Sequence, residues 1–102
     1  CNGALHNFSP GGFAGVMPKY LGSGVKLSVR LGSDGSTLAK ELSAVGLRPL
    51  SCEVRWGREY RGKFLHGFQI KNISSDQSAT LINLLRKATK NEVQGTAIRA
   101  IS

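Results

Sequence analysis

Three stretches of the chain alternate between apolar and polar residues, two of them strictly. Val25, Leu27, Val29 and Leu31 interleave with Lys26, Ser28 and Arg30. Leu50, Cys52, Val54 and Trp56 interleave with Ser51, Glu53 and Arg55, and Phe64, His66, Phe68 and Ile70 make the third set. Period two places one face of each strand in a core and the other in water, so Trp56 reads as a core anchor. Residues 4–8 and 13–17 read as two shorter strands around a turn at Asn7–Gly12, the second ended by Pro18. Pro49 suits a strand entry, where no ladder donor is needed. Gly32–Ser36 reads as a turn and Gly57–Gly62 as a polar hairpin loop. Residues 37–46 are ambiguous: Leu38, Leu42 and Val45 have helical spacing, but the segment is short and ends at Gly46.

After Ile70 the period changes. Ser74 with Gln77 forms a capping-box pattern, and Leu81, Ile82, Leu84, Leu85 and Ala88 follow as one apolar helical stripe. Arg86, Lys87 and Lys90 sit where the helix macrodipole favours positive charge. The pattern predicts a helix over about 75–91 and, in 94–102, a tail or a short docking strand. Short antiparallel strands followed by one helix with a single apolar face imply a small barrel or sandwich whose open end the helix covers.

The chain has 102 residues, enough for one domain with one modest core. No apolar run reaches the length of a membrane helix, and no secretory leader pattern is present. The first residue is Cys1, which reads as the start of a piece of a longer chain. Cys1 and Cys52 do not form a disulfide framework, Cys52 reads as a buried small residue, and a reduced, cytoplasmic setting is expected. The two cysteines and two histidines lack zinc-ligand spacing, so neither a metal nor a cofactor is expected. The net charge of +8 draws polyanions such as nucleic acid, anionic lipid or a phosphorylated small molecule, without choosing among them.

Asn7-Phe8-Ser9-Pro10-Gly11-Gly12 carries the most concentrated chemistry. Asn7 and Ser9 can hydrogen-bond backbone or an external group, while Gly11 and Gly12 permit positive φ and close approach. An ordinary turn stapled by its own side chains explains the same residues. Arg55, Arg58 and Arg61 cluster near Trp56, either as phosphate contacts or as a solvated hairpin. His66 reads as a histidine at the rim of the core. Six scattered acidic residues and no nucleophile paired with a base argue against an enzyme. A nucleic-acid strand ranks lower as a partner, because aromatics are 7% of the chain and the phenylalanines Phe8, Phe13, Phe64 and Phe68 fall mostly on core faces.

The order of these features resembles the PilZ domain of bacterial cyclic di-GMP receptors. Asn7–Gly12 fits the family's [D/N]xSxxG motif. Val54-Arg55-Trp56 resembles its apolar-x-Trp strand, and Gly67-Phe68-Gln69-Ile70 with the helix after Ser74 resembles its closing strand and helix. The resemblance covers about residues 4–90. It implies a mainly β fold, a six-stranded antiparallel barrel over about 4–72, one C-terminal helix over 75–91 and a tail over 92–102. It also implies a cytoplasmic regulatory module that binds cyclic di-GMP and changes its contacts with a partner domain or protein. Carried over by position, Asn7 and Ser9 would meet a guanine edge and Gly12 would leave room for it, with Gly11, Arg55 and Arg58 as further candidates. The family's upstream RxxxR segment, whose arginines stack on guanine, does not occur in the chain. Either those arginines lie outside this sequence, or the chain is a PilZ-like interaction domain that does not bind nucleotide.

Overall fold

Each alternating stretch forms a strand. The computed structural model describes residues 1–88 and 96–101. In chain order these form β1 (Asn2–Ser9), β2 (Gly12–Met17), β3 (Lys26–Leu31), α1 (Thr37–Ala44), β4 (Leu50–Tyr60), β5 (Lys63–Ile70), α2 (Ser75–Ala88) and β6 (Ala97–Ile101). The strands close into an antiparallel barrel in the order β1-β2-β5-β4-β3-β6. Every strand thereby gains two neighbours, although β4 beyond Val54 pairs with β5 alone. The expected six-stranded barrel is therefore present, with two corrections to its parts. The ambiguous segment after Ser36 is a helix, and the barrel's last strand follows α2, so α2 is not the final element.

β6 closes the barrel by pairing with β1 at Asn2↔Arg99 through Ala4↔Ala97, and with β3 at Ser28↔Ile101 through Leu31↔Ile98. Its Ile98 and Ala100 enter the core, while Ile101 points outward. The segment read as a tail or docking strand thus supplies structure from Ala97 onward. Residues 89–91, the expected end of the helix, lie outside the described residues, as do 92–95.

Inside the barrel, Leu5, Phe13, Met17, Val29, Leu31, Val54, Phe68 and Ile98 form one cluster that continues under the helices through Leu38, Leu42, Leu81 and Leu85. Each such side chain contributes about 1.5–3 kcal/mol by leaving water. Phe13 stacks on Phe68 with ring centroids 5.0 Å apart. Phe8 and Phe64, assigned to core faces, are only partly buried. Cys52 is buried within the cluster as expected, Cys1 is exposed, and both are free thiols.

The helices are fixed by their caps. Ser36 Oγ accepts from Ala39 N at 3.1 Å at the start of α1. At α2, Gln77 N donates to Ser74 Oγ at 3.1 Å and Ser74 N donates to Gln77 Oε1 at 3.0 Å, the reciprocal capping box expected from the sequence. The helices pack on each other, and Lys87 reaches Glu41 at 3.5 Å. The hairpin between β4 and β5 is tighter than expected. The strands run to Tyr60↔Lys63, leaving a two-residue turn in which Arg61 (φ 49°) and Gly62 (φ 78°) both take left-handed backbone. That turn matches the twist of the flanking strands.

Candidate functional site on the outer face of the barrel

β1 and β4 each carry one extra residue. The β1–β2 register slips between Leu5 and Asn7, and the β4–β5 register slips between Val54 and Trp56. His6 and Arg55 fall in these slips. An added residue reverses which face the following side chains occupy. Leu5 is therefore buried while Asn7 is exposed, and Val54 is 0% exposed while Trp56 is 45% exposed. This corrects the reading of Trp56 as a core anchor: the bulge at Arg55 turns it out of the core.

The two reversals bring separated residues into one row. Asn7 pairs with Ala14, Ala14 with Gly67, and Gly67 with Trp56, across four adjacent strands. The next outward row is Ser9, Gly12, Gln69 and Glu53. Ala14 and Gly67 put small residues in the middle of the first row, and Gly12 does so in the second beside Gln69. The result is a shallow trough of about 290 Å³ lined by Asn7, Ser9, Gly12, Ala14, Trp56 and Gln69, among others. Of the six site candidates, Asn7, Ser9, Gly11 and Gly12 line it, while Arg55 and Arg58 lie beside Trp56 on β4.

The polar atoms of the trough are largely uncommitted. The side-chain amides of Asn7 and Gln69 make no hydrogen bond with the described residues, and both residues are exposed. Ser9 Oγ reaches Gly12 O at 3.5 Å, the outer limit of a hydrogen bond. Neither Gly11 nor Gly12 takes a positive φ. A Cβ on Gly12 would overlap the carbonyl oxygen of Phe68, whereas one on Gly11 would meet nothing within 4 Å. The absent side chain of Gly12 thus lets β2 approach β5. On the far side of the turn, Ser78 Oγ of α2 donates to Pro10 O and holds the hairpin tip against the helix.

Cations gather beside the ring. The Arg58 guanidinium lies 6.0 Å from the Trp56 ring centroid and that of Arg61 lies 5.4 Å from the Tyr60 centroid. His6, bulged from β1, meets Tyr60 edge-on at 5.4 Å. Arg55 is committed to Glu53 at 3.1 Å, with Lys71 at 3.5 Å from the same carboxylate. Desolvation opposes the charge on Glu53, yet Lys71 and Arg55 outweigh it and hold the carboxyl below its ordinary pKa. Arg58 and Arg61 form no ion pair among the described residues.

His66 is fully buried rather than at the rim, because Tyr20 from the β2–β3 connection closes over it at 5.7 Å. Its Nε2 accepts from Leu21 N at 2.8 Å, and burial holds its pKa below the ordinary value, so it is a neutral structural residue.

Larger grooves lie elsewhere. One of about 590 Å³ runs between the β1–β2 turn and α2, and one of about 620 Å³ crosses β3 and β4 near Lys26 and Lys71. Neither combines free side-chain amides with an exposed ring. Sequence reasoning reached Asn7, Ser9 and Gly12, and missed Ala14, Gly67 and Gln69 as their neighbours. No local signal marks these three, because their place depends on register between strands far apart in the chain. No helix among the described residues is long and apolar enough to cross a membrane. No protein-family model, curated protein or solved structure matches the chain.

Proposed function

We propose that the outer-face trough binds a planar, anionic ligand, and that the ligand is cyclic di-GMP, as the resemblance to PilZ domains implies. The observation that carries the reading is the single row Asn7–Ala14–Gly67–Trp56 across four strands. It sets a free amide at one end, a small-residue floor in the middle and an exposed indole at the other end. A flat heterocycle lying on Ala14, beside the indole that covers Gly67, would offer its edge to Asn7 and Ser9 and meet Trp56 on its other side. Arg58, which forms no ion pair among the described residues, would meet phosphate. Gly12 enters as the residue that keeps the floor flat through the close β2–β5 contact. The module performs no catalysis in this reading. Binding alters its contacts with a partner domain or protein.

Calorimetric titration of cyclic di-GMP into the protein tests the reading. Saturable binding that Asn7→Ala with Ser9→Ala abolishes, with the thermal midpoint unchanged, supports it. Absence of heat, or binding indifferent to both substitutions, overturns the assignment. A second reading, a PilZ-like interaction domain without a nucleotide, is what an absence of binding would leave standing.

A further inference from the structure

We infer that the outer face of β4 is a binding stripe for a single-stranded nucleic acid. Beyond the bulge the β4–β5 register is regular from Trp56↔Gly67 to Tyr60↔Lys63, so Trp56, Arg58 and Tyr60 project from the same outer face in sequence. Trp56 and Tyr60 stand four residues apart on one strand, about 13 Å at the usual rise. Arg58 stands between the rings and Lys63 faces Tyr60 across the ladder. Glu59 has the opposite parity and pairs with Phe64.

The stripe alternates stacking platforms with cations, the pattern that holds a strand by its bases and phosphates without reading sequence. A guanidinium accompanies each ring, Arg58 at Trp56 and Arg61 at Tyr60. Two van der Waals layers need about 7 Å, so a base enters between ring and guanidinium after a shift of about 1 Å at Trp56 and about 1.6 Å at Tyr60. Arg58, Arg61 and Lys63 are exposed and carry no ion pair among the described residues. The low rank given to nucleic acid rested on the scarcity of aromatics and on phenylalanines assigned to core faces; the bulge adds Trp56, itself read as a core anchor, to the exposed rings. The inference goes beyond the cyclic di-GMP reading. It requires Tyr60, Arg61 and Lys63, which the trough does not use, so either can fail alone.

Fluorescence anisotropy with a labelled oligothymidylate of about 12 nucleotides tests it. The expected result is binding that weakens steeply between about 50 mM and 200 mM salt. Trp56→Ala and Tyr60→Ala should each lower affinity by about 5- to 150-fold. Trp56→Phe, which keeps a platform, should bind more tightly than Trp56→Ala and guards against a folding defect. Arg58→Ala and Arg61→Ala should each reduce the salt slope by about one. Lys40→Ala, the same charge change on α1, should stay within about twofold because it removes no phosphate contact. No binding at low salt overturns the inference. So does binding that Trp56→Ala and Tyr60→Ala leave unchanged, since charge alone would then explain it.

Discussion

The Trp56 indole occupies the space that a Cβ on Gly67 would need, with Nε1 and Cε2 of the ring as its nearest neighbours. Glycine at this position lets the ring lie against β5 although it projects from the outer face. Trp56 is the protein's single tryptophan, so its emission reports this contact directly. Gly67→Val should push the ring away, shift the emission to longer wavelength and cost about 1 kcal/mol, the scale of one cross-strand pair. Unchanged emission would mean that the indole does not rest on Gly67.

The two glycines of the turn motif should behave differently. Gly12→Ala drives a methyl group into the Phe68 carbonyl oxygen, a backbone atom held by its own sheet. Urea unfolding should register a loss of about 1–3 kcal/mol for the overpacking. Gly11→Ala meets open space without a positive φ and should stay within about 0.5 kcal/mol. Equal costs at the two positions would contradict the close β2–β5 approach. A bulky residue at Gly12 is for the same reason a poor probe of ligand binding.

Most of the barrel was legible because β3 and the first part of β4 bury one face and wet the other, which writes period two into the chain, while Phe64, His66, Phe68 and Ile70 keep that spacing in β5 although Leu65 and Gly67 are buried as well. The capping box at Ser74 and Gln77 was legible because it is local. The bulges were not. Arg55 adds one residue without changing composition, so Trp56 kept the parity of Val54 in sequence while changing sides in space. The continuation of β4 through Arg58 and Glu59 was hidden because strand residues with a solvated face look like a loop. β6 was obscured by Ile101, an apolar residue that points outward, and its partners β1 and β3 lie far back in the chain. The candidate site was legible only as the Asn7–Gly12 turn. The row that joins Asn7 to Trp56 depends on three ladders and two slips that no local pattern encodes.

The two thiols should separate by rate. Cys1 is exposed, whereas Cys52 is 2% exposed and burial pushes its pKa from 9.0 up to about 12. The thiolate is the reactive form. In the native protein near neutral pH, a chromogenic disulfide reagent should therefore titrate one thiol quickly. The second should react only at the rate of opening of the barrel and become fast in denaturant. Two fast thiols under native conditions would place Cys52 outside the core.

His66 should leave a mark on the acid side of the stability profile. Its ring neighbours are Tyr20 and Phe68, and its Nε2 lone pair is occupied by the Leu21 N–H. Protonation there would break that bond and place a charge in a fully buried site. Burial accordingly lowers its pKa from 6.5. Between 6.5 and the folded value, the unfolded chain binds a proton that the folded chain refuses. The stability held by neutral His66 is thus complete above 6.5 and falls as pH drops through that window, at up to about 1.4 kcal/mol per pH unit. Below the folded pKa both states are protonated and the slope ends. Asp34 and Glu53, with carboxyls held below 3.8 and 4.5, contribute their own losses at lower pH. The difference between wild type and His66→Gln therefore isolates the imidazole, because glutamine keeps an acceptor for Leu21 but takes up no proton. Urea midpoints measured across the window should converge with those of the variant as pH falls. Parallel profiles would mean that His66 titrates alike in both states and is not sealed by Tyr20.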